Sequence, residues 1–600
     1  MRKELQYPFD SGFILTKRKS IKRELIKQYE LNPQSFIKKR IAILGGSTTH
    51  DVKDMLELFL LEQGIIPEFY ESEYNQYYQD VMFDNPTLIT FKPDLIYIHT
   101  STRNITEWPS SERTEQEIEA MLKEQFSHFL CMWEKIEETY ACPIIQNNFE
   151  LPFYRILGNR DCWDLSGRVN FVNRMNEKFS QYARNHENFY INDINYISSC
   201  YGIQRWADSF CWHMYKYACS ISAIPELSFN LSNIIKSIYG KNKKALVLDL
   251  DHTLWGGVVG DDGPENIEIG QETSVGQLYT EFQQYIKAYK DLGILLTIDS
   301  KNEEENALAG LKRPDSILKP EDFLVIKANW EPKDQNMEEI AKELNIGTES
   351  LVFVDDNPAE RYIVSNGIPE ASVPDIGTPE QYIQRLDRSG FFEVTCFSED
   401  DRRRNAMYEA NAARRKQATR YSDYEEYLKS LEMKAEIRPF SSIYMSRIAQ
   451  LTNKSNQFNL TTRRCTQMEL EELNKNSDYI TLYGRLEDKF GDNGVVSVVF
   501  GHCDPEQPVY FHIDLWLMSC RVLKRDMEFA MMDELLRLCQ ERGIKTIFGY
   551  YYPTVKNRMV KDFYEQQGFS KESESDNGST VWKLDLNCCD KSRNRVIKVN

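Results

Sequence analysis

Three signals that would place this chain in a membrane, outside the cell or around a structural zinc ion are absent from its sequence. The N-terminus, MRKELQYPFDSGF, lacks the apolar core of a signal peptide, and the longest apolar stretches contain charges and are too short to cross a bilayer. The 13 cysteines show no paired CxxC spacing, so neither a zinc site nor a disulfide framework is indicated. We therefore expect reduced thiols and a cytoplasmic location, without a membrane partner.

An excess of positive charge is also absent. The 600 residues carry 73 Lys and Arg against 92 Asp and Glu, which gives a formal net charge of -19. A nucleic-acid-binding protein needs a basic surface for phosphate contacts, so this balance argues against that class and suits an enzyme. Hydrophobic residues make up 41% of the chain, enough for real cores, and the length predicts about four domains at roughly 150 residues each.

Apolar segments that alternate with helical patterns predict an α/β protein with two doubly wound parallel-sheet domains, followed by an α+β domain. Residues 1–35 are predicted as a leader helix and 36–237 as the first α/β domain, with strands near 41–46, 93–100 and 141–149. The second α/β domain is predicted at 238–395, with strands near 244–251, 293–300 and 350–356 and a candidate strand at 371–376. A charged helix at 398–433, within a linker 396–433, leads to the α+β domain at 434–586, and 587–600 form a tail.

The most informative residues are Asp249, Asp251 and Thr253, in the segment DLDHT that ends the apolar run ALVLDL. A strand delivers both carboxylates to its carboxyl edge, where open α/β sheets place their sites, and strand alternation sends them to the same side. Two carboxylates this close suit Mg²⁺ with phosphate oxygens. One carboxylate can attack phosphorus and form an aspartyl-phosphate, and the other can protonate the leaving oxygen.

Further polar residues follow the next strands. Ser300 ends GILLTIDS, Asp355 and Asp356 end SLVFVDD, and Lys333 lies between them in ANWEPK. The lysine would offset the charge on phosphoryl oxygens that Mg²⁺ bridges. The alternative is that these are loop acids capping helices, which explains one motif but hardly three in order. The sequence therefore predicts one phosphoryl-transfer site.

At these residues the chain resembles the haloacid dehalogenase (HAD) superfamily and, more closely, its FkbH-like branch. The resemblance is carried by LVLDLDHTLWGGVVGDDG, SKN, NWEPK and LNIGTESLVFVDDNPAER and, downstream, by RIAQLTNKSNQFNLTTRR, GDNGVVSVV, LWLMSCRVL and YYPTVKNRMV. It covers nearly the whole chain. It implies an SGNH-hydrolase-like domain, a HAD domain and a domain similar to GNAT acyltransferases.

The resemblance also implies an activity. FkbH-like proteins take 1,3-bisphosphoglycerate, remove phosphate and leave a glyceryl thioester on an acyl carrier protein for polyketide and related biosynthesis. Carried over by position, Asp249 matches the nucleophile, Asp251 the acid/base and Thr253 the loop-stabilising hydroxyl. Ser300 matches the phosphate binder and Lys333 the lysine of the motif. The metal-binding set is then Asp249, Asp251, Asp355 and Asp356, with Mg²⁺ as the cofactor.

Two segments limit the size of any cap over this site. Only about twenty residues separate Thr253 from the helix expected near Gly276, which fits a β-hairpin flap and no folded cap domain. The segment 301–349 is also short for a cap. An uncapped site is open enough to admit phosphate at the end of a carrier-protein arm.

The first domain resembles an SGNH hydrolase with a degenerate site. Ser47, in GGS, occupies the nucleophile block, and Asp208 and His213 mimic the acid and base, but their spacing departs from the usual DxxH. Asn104 matches the asparagine of a later SGNH sequence block, but the glycine that precedes it in that block is absent here. A serine nucleophile needs a nearby base and an oxyanion hole, so a docking or structural role is preferred to esterase chemistry.

The last domain lacks the glycine-bearing loop that GNAT-like proteins use for acetyl-CoA, and Asp526 brings negative charge there, so acetyl-CoA transfer is not expected. Arg521, Lys524 and Arg525 are candidates for binding the phosphate of a pantetheine arm, and a structural surface is the alternative.

A thioester route through the enzyme needs a thiolate. Some FkbH-like members have cysteine just before the SKN serine, but Asp299 stands there in this chain. Cys520 remains as the candidate acyl-bearing thiol, with a buried core role as the alternative. Direct attack by the carrier's own thiol needs no enzyme cysteine.

The clearest basic run lies between 402 and 420 and suits docking of an acidic carrier protein or a solvated helix face. Two rival functions stay open: a HAD phosphatase without acyl transfer, in polysaccharide or secondary metabolism, and a carrier-binding protein with an inactive core.

Overall fold

The structure, a computed structural model, describes residues 2–33, 36–455, 457–554, 556–586 and 592–600, with the side chain of Asp400 excepted. The chain forms two compact units. The N-terminal unit comprises Arg2–Leu5 and Phe9–Ile238, and the C-terminal unit comprises Gln6–Pro8 and Tyr239–Asn600. No helix in the described ranges combines the length and apolarity that a membrane crossing requires.

The N-terminal unit is a parallel five-stranded sheet in the order β2-β1-β3-β4-β5. Its strands are β1 (Ile37–Gly45), β2 (Ile65–Glu71), β3 (Leu95–His99), β4 (Ile144–Asn147) and β5 (Phe189–Asn192). Its helices are α1 (Ser11–Leu31), α2 (His50–Glu62), α3 (Tyr77–Met82), α4 (Pro86–Phe91), α5 (Glu115–Tyr140), α6 (Arg168–Asn185), α7 (Ile194–Tyr201), α8 (Ile203–Trp206), α9 (Ser209–Tyr215) and α10 (Ile224–Ile238). β3 and β4 are buried along their whole length, as a parallel sheet covered on both faces requires.

The helix predicted at residues 1–35 is shorter in the structure. Asp10 caps α1 by accepting a hydrogen bond from the Phe13 amide (3.0 Å), so the helix begins at Ser11. Ion pairs from Arg18 to Asp51 (2.6 Å) and from Lys22 to Glu57 (2.6 Å) hold it against α2.

Residues 239–395, here called the middle domain, form a parallel four-stranded sheet in the order β8-β7-β6-β9. Its strands are β6 (Ala245–Leu248), β7 (Leu295–Ser300), β8 (Val325–Ala328) and β9 (Leu351–Val354). Its helices are α11 (Val259–Asp262), α12 (Ser274–Asp291), α13 (Glu304–Leu311), α14 (Lys333–Leu344), α15 (Pro358–Gly367) and α16 (Tyr382–Arg388). The candidate strand at 371–376 is wrong, because Ser372 contributes only an isolated bridge to Val352.

The middle domain carries no cap across residues 239–395, all of which the structure describes. Between Thr253 and α12 lie α11 and two isolated bridges. One pairs Trp255 with Asp251 in parallel, and in the other, antiparallel bridge the backbones of Gly256 and Glu268 exchange hydrogen bonds of 3.0 and 2.8 Å. The expected β-hairpin flap is therefore a bridged loop without two full strands. The segment 301–349 supplies core elements, α13, β8 and α14.

The predicted helix at 398–433 is broken into α17 (Glu399–Arg402), α18 (Arg404–Ala418) and α19 (Tyr424–Ser430). α18 lies at the amino edge of the middle sheet. Asn405 Nδ2 donates to the Lys290 carbonyl (2.8 Å), Arg404 donates to the Gly293 carbonyl (3.1 Å), and Tyr408 packs in the core around Ala245.

The remaining residues form the C-terminal domain, an α+β domain with a nine-stranded mixed sheet. Its strands are β10 (Lys434–Arg438), β11 (Phe458–Asn459), β12 (Tyr479–Asp488), β13 (Gly491–Cys503), β14 (Tyr510–Met518), β15 (Thr546–Tyr551), β16 (Ser570–Glu574), β17 (Thr580–Asp585) and β18 (Lys598–Val599). Its helices are α20 (Met445–Lys454), α21 (Gln467–Lys475), α22 (Met527–Glu541) and α23 (Phe563–Gln566). The principal order is β16-β17-β15-β14-β13-β12-β10-β18.

β12 and β13 form a hairpin whose turn lies before Gly491, because Asp488 pairs with Gly491 and the following DNG residues belong to β13. In the predicted tail, 587–591 lie outside the described residues, and β18 pairs in parallel with β10.

β11 lies between β14 and β15, where these two parallel strands diverge. The two strands pair only over 510–512 and 546–548. Farther along, Phe458 pairs with Met518, the Leu460 amide donates to the Trp516 carbonyl (3.0 Å), and the Leu460 carbonyl accepts from the Tyr552 amide (2.9 Å). The chain's own backbone therefore fills the gap between the two strands.

Candidate active site

The carboxyl edge of the middle sheet carries the polar residues that the sequence singled out. Asp249 directly follows β6, Asp355 directly follows β9, and Ser300 is the last residue of β7. Lys333 is the first residue of α14, which follows β8. Because the carboxyl ends of parallel strands meet at one edge, residues as far apart in sequence as Asp249 and Asp355 become neighbours.

Lys333 joins two of these acids. Its ammonium nitrogen lies 2.9 Å from Asp249 Oδ1 and 2.5 Å from Asp355 Oδ2, and its side chain is buried. Burial opposes the charged ammonium, but the carboxylates of Asp249 and Asp355 outweigh it and raise the pKa of Lys333. Lys333 is therefore a fixed positive charge beside the candidate nucleophile.

Asp249, Asp355 and Asp356 together form a carboxylate cluster that fits a divalent cation. One oxygen from each lies within 4.8 Å of the other two. Burial and the charge of Asp249 raise the pKa of Asp355 to about 6 and also raise the pKa of Asp356. Mg²⁺ prefers oxygen ligands and commonly binds one or two carboxylates with phosphate oxygens, so this donor set suits it. A bound cation would relieve the repulsion among these acids.

The side chain of Asp251 points elsewhere, in contrast to the predicted metal set. Asp251 Oδ1 accepts from Trp255 Nε1 (2.8 Å) and from the Val259 amide (3.0 Å), and Oδ2 accepts from Asn302 Nδ2 (2.9 Å). β6 ends at Leu248, so strand alternation does not extend to Asp251. The carboxylate is held in a fixed orientation by donors, as an acid/base residue requires.

Hydroxyls and backbone carbonyls hold the loops around this cluster. Thr253 Oγ1 accepts from the Asp356 amide (3.2 Å), and Ser300 Oγ accepts from Asn302 Nδ2 (3.1 Å). The backbone of His252 is left-handed, with φ of 54°, and its carbonyl accepts from the Tyr382 hydroxyl (2.9 Å). Thr253 therefore ties the loop after β6 to the loop after β9.

Asp299 is a buried acid beside the site whose charge state sequence reasoning did not anticipate. Its Oδ1 accepts from Asn336 Nδ2 (3.0 Å), and its Oδ2 has no hydrogen-bond partner in the described chain. Burial raises the pKa of Asp299 to about 8. Its place directly before Ser300 on β7 was visible in the sequence, but the depth of its burial was not.

The candidate residues of the N-terminal unit do not form a catalytic triad. The Ser47 hydroxyl is buried and finds no hydrogen-bond partner among the described residues. Asp208 instead caps α9 by accepting from the Cys211 amide (2.9 Å), and His213 is exposed on that helix. Asn104 Nδ2 donates to the Gly46 carbonyl (2.9 Å). No hydrogen bond within the described residues links Ser47 to Asp208 or His213.

Cys520 lies at the opposite edge of the middle sheet from Asp249. Its carbonyl accepts from Asn345 Nδ2 (2.7 Å), and its side chain neighbours Tyr408 and Lys244. Lys244 directly precedes β6, so at about 3.3 Å per residue roughly 16 Å separates it from Asp249 along the strand. The structure therefore does not bring the candidate thiol to the candidate nucleophile.

The three candidate pantetheine-phosphate residues also have separate environments. Arg525 is buried, donates to Asp488 (3.2 Å) and to Asn411 (2.7 Å), and its pKa falls to about 10 chiefly through burial. Arg521 contacts Ser519 and Met407. Only Lys524 is exposed. Arg525 is a structural residue, which corrects its predicted binding role.

The basic run at 402–420 does not form one face either. Arg414 is buried and makes a two-bond pair with Asp488 (2.7 and 2.8 Å). Arg403 pairs with Glu399, and Arg415 donates to the Glu343 carbonyl. Because some of these basic residues are paired in the interior and the helix is interrupted, their charges do not lie on one continuous surface.

Comparison with known proteins gives matches to parts of the chain. The family model described as FkbH, N-terminal domain, matches residues 40–236. A crystal structure of the N-terminal part of protein BF1531 from Bacteroides fragilis, containing a phosphatase domain complexed with Mg, is 31% identical with a TM-score of 0.58. The match covers 63% of this chain and 99% of that one. No curated protein matches significantly.

Two further solved structures are similar at much lower identity. The ribosomal-protein-S18-alanine N-acetyltransferase of Escherichia coli is 9% identical over 27% of this chain and 99% of its own, with a TM-score of 0.20. A GNAT-family acetyltransferase from Streptococcus pneumoniae is 15% identical over 25% of this chain and 98% of its own, with a TM-score of 0.22. Neither bears on activity. The matches to the FkbH N-terminal model and to the BF1531 structure show the family: the chain belongs to the FkbH-like family and carries a HAD-like phosphatase domain.

Proposed function

We propose that this protein is a Mg²⁺-dependent HAD-type glyceryl transferase/phosphatase, which converts 1,3-bisphosphoglycerate into a glyceryl thioester on a phosphopantetheinylated acyl carrier protein. The observation that carries the proposal is the buried Lys333 bridge between Asp249 and Asp355, beside Asp356. This arrangement supports phosphoryl transfer because it places a carboxylate nucleophile, a fixed cation and a metal-binding acid cluster at one open sheet edge.

The phosphatase half of the proposal uses four residues. Asp249 attacks phosphorus as the P–O bond to the substrate breaks, and Asp251 protonates the leaving oxygen. Asp251 then takes a proton from the water that hydrolyses the aspartyl-phosphate. Lys333 and Ser300 hold the phosphoryl oxygens. Mg²⁺, held by Asp249, Asp355 and Asp356, would supply further charge neutralisation.

The transferase half of the proposal does not use an enzyme thiol. Residues 239–395 contain no cysteine, and Cys520 belongs to the opposite edge of the sheet. The carrier's thiolate attacks the C1 carbonyl of 1,3-bisphosphoglycerate, a C–S bond forms, and the C1 phosphate leaves. Asp249 removes the C3 phosphate, which leaves a glyceryl unit on the carrier in the cytoplasm.

The absence of a cap on the middle domain supports a carrier-borne substrate. An open edge admits a phosphate presented at the end of an arm, whereas small-metabolite phosphatases more often exclude water with a lid. The residues assigned to phosphate removal act without a carrier, so the second candidate function is a HAD phosphatase without acyl transfer.

Mass spectrometry of the carrier separates these functions. Purified protein, phosphopantetheinylated carrier, 1,3-bisphosphoglycerate and Mg²⁺ are incubated together, and the carrier's mass is measured. A mass gain of one glyceryl unit is expected, with no gain on a carrier that lacks the phosphopantetheine arm. Phosphate release without any change in the authentic carrier's mass would leave only the phosphatase function.

A further inference from the structure

The segments that follow β3, β4 and β5 carry a connected row of basic and aromatic side chains at the carboxyl edge of the N-terminal sheet. The Arg103 guanidinium carbon lies 5.4 Å from the centre of the Phe153 ring and 4.9 Å from that of the Trp212 ring. The Lys216 ammonium lies 5.5 Å from the centre of the same Trp212 ring. We call the whole row the cation–aromatic ladder, and its members in order of contact are Lys216, Trp212, Arg103, Phe153, Tyr154 and Arg168.

The aromatic rings hold the basic groups of the ladder in place. Phe153 and Tyr154 have ring centres 4.9 Å apart, and the Arg168 guanidinium carbon lies 4.8 Å from the centre of the Tyr154 ring. Arg168 also donates a hydrogen bond to the Tyr154 hydroxyl. A cation this close to a ring is attracted by the ring's quadrupole. The basic side chains are therefore ordered before any partner arrives, which lowers the entropy cost of binding.

The three cations of the ladder have no ion-pair partner. Among the residues that the structure describes, no carboxylate lies within ion-pairing distance of Lys216, Arg103 or Arg168. Glu150 interacts electrostatically with Arg103, but its oxygens accept from the Thr102 hydroxyl (2.8 Å) and amide (3.2 Å), and burial raises the pKa of Glu150. In a chain with a net charge of -19, these three cations are available to an external anion.

The ladder is also accessible to a large partner. Phe153 and Tyr154 are 44% and 43% exposed, and the other four members are half-buried. Tryptophan, tyrosine and arginine are the residues that contribute most to the free energy of protein–protein association. Their presence in one ordered row indicates a surface that binds a protein, and the unpaired cations indicate that this protein is acidic.

We propose that the cation–aromatic ladder is the docking surface for an acidic carrier protein, which is the partner in the proposed function on which this inference rests. Carboxylates of the carrier pair with Arg103, Lys216 and Arg168, and its apolar side chains contact the exposed rings. The ladder lies beside the degenerate hydrolase site, because the Thr48 amide donates to the Lys216 carbonyl (2.9 Å). This edge of the N-terminal sheet then serves binding in place of hydrolysis.

The test is the affinity of the full chain for the phosphopantetheinylated carrier used in the mass-spectrometry assay, measured by fluorescence anisotropy at low salt. Arg103→Glu should weaken binding roughly tenfold or more, because an attractive charge becomes a repulsive one. The dissociation constant should also depend less steeply on salt. The matched control is Lys38→Glu, an exposed lysine at the start of β1 and so at the opposite edge of the same sheet. It changes the net charge equally and should leave the affinity within about twofold of the parent's.

Equal affinities of the parent and Arg103→Glu, or equal losses in Arg103→Glu and Lys38→Glu, would overturn the docking surface. The proposed function would still stand in that case, provided that the parent loads the carrier. If Arg103→Glu does not fold, Lys216→Glu is titrated in its place, and unchanged affinity there counts against the surface in the same way.

Two other outcomes concern the occupant of the surface. A parent that neither loads nor binds the carrier places the failure in the proposed function and removes the carrier as the occupant. Analytical ultracentrifugation checks for self-association of this acidic chain. A dimer that Arg103→Glu dissociates would assign the surface to a second copy and overturn the carrier as its partner.

Discussion

The N-terminal unit and the middle domain place a candidate nucleophile at the same point of a parallel sheet, with different results. Ser47 follows β1 by two residues and Asp249 follows β6 directly. Asp249 meets Lys333 and lies beside two further acids, whereas the Ser47 hydroxyl meets no partner in the described chain. A position at the carboxyl edge of a parallel sheet is therefore not sufficient for catalysis. The nucleophile also needs partner side chains that follow the neighbouring strands.

The largest difference between the two sheets is expected in the rate of phosphate hydrolysis. Asp249→Asn should reduce Mg²⁺-dependent hydrolysis of p-nitrophenyl phosphate by roughly 10³-fold or more, because an amide cannot form the aspartyl-phosphate. Ser47→Ala, the matched change at the other sheet, should leave the rate unchanged. Comparable losses of hydrolysis rate in the two variants would contradict the conclusion that only the middle sheet carries the catalytic site.

The buried ion pairs at the catalytic edge should dominate its stability. Lys333→Met is expected to destabilise the middle domain by about 3–5 kcal/mol in urea unfolding, because it leaves Asp249 and Asp355 buried beside each other without a cation. Lys301→Met breaks the more exposed pair with Glu360 and should cost about 0–1 kcal/mol. Similar costs for the two lysines would contradict the geometry described for Lys333.

Asp299 gives the catalytic edge a pH dependence. Its folded-state pKa is about 8, well above the ordinary 3.8, so the folded protein holds this proton more tightly than the unfolded chain. The resulting stabilisation is complete below about pH 4 and is lost as the pH rises through 8.

Asp299→Asn mimics the neutral acid and removes this contribution. The melting temperatures of this variant and of the parent are measured in EDTA from pH 5 to pH 9. The difference, variant minus parent, should increase as the pH rises. Parallel curves for the two proteins would show that Asp299 titrates normally.

The smallest expected effect concerns the unfolding free energy. It compares the hydroxyl of Thr253 in the middle domain with that of Ser47 in the N-terminal unit. Thr253→Val leaves the Asp356 amide without its acceptor and should cost about 1–3 kcal/mol. Ser47→Ala removes a buried hydroxyl that has no partner, so its unfolding free energy should change by less than about 1 kcal/mol. A larger cost at Ser47 would reveal a hydrogen bond that this structure lacks.

Three strands of the two parallel sheets were not predicted from the sequence, and they share one property. β2, β5 and β8 each lie at the edge of their sheet, and β8 is only half-buried beyond Val325. An edge strand needs fewer apolar residues than a central one, so its pattern is weaker. The central strands β1, β3, β6 and β7 carry mostly apolar buried residues and were predicted. β9 is also an edge strand, but its four residues are all apolar and buried, so it was predicted as well.

The catalytic edge could be predicted because Asp249, Ser300 and Asp355 lie at the ends of apolar strands that were themselves predicted, β6, β7 and β9. The direction of Asp251 could not, because it depends on where β6 stops and on donors from Trp255 and Asn302. Arg525 was misjudged for a similar reason. Its partner Asp488 lies 37 residues away, at the end of β12, and no local sequence pattern indicates a buried pair of that kind.

The position of β11 has a practical consequence for any redesign of the C-terminal domain. The backbone of Leu460 is hydrogen-bonded to β14 on one side and to Tyr552 on the other. An extended ligand could therefore bind between β14 and β15 only if it displaced this segment of the chain. Removing Phe458–Leu460 would leave the backbone of β14 open to pairing with another extended chain.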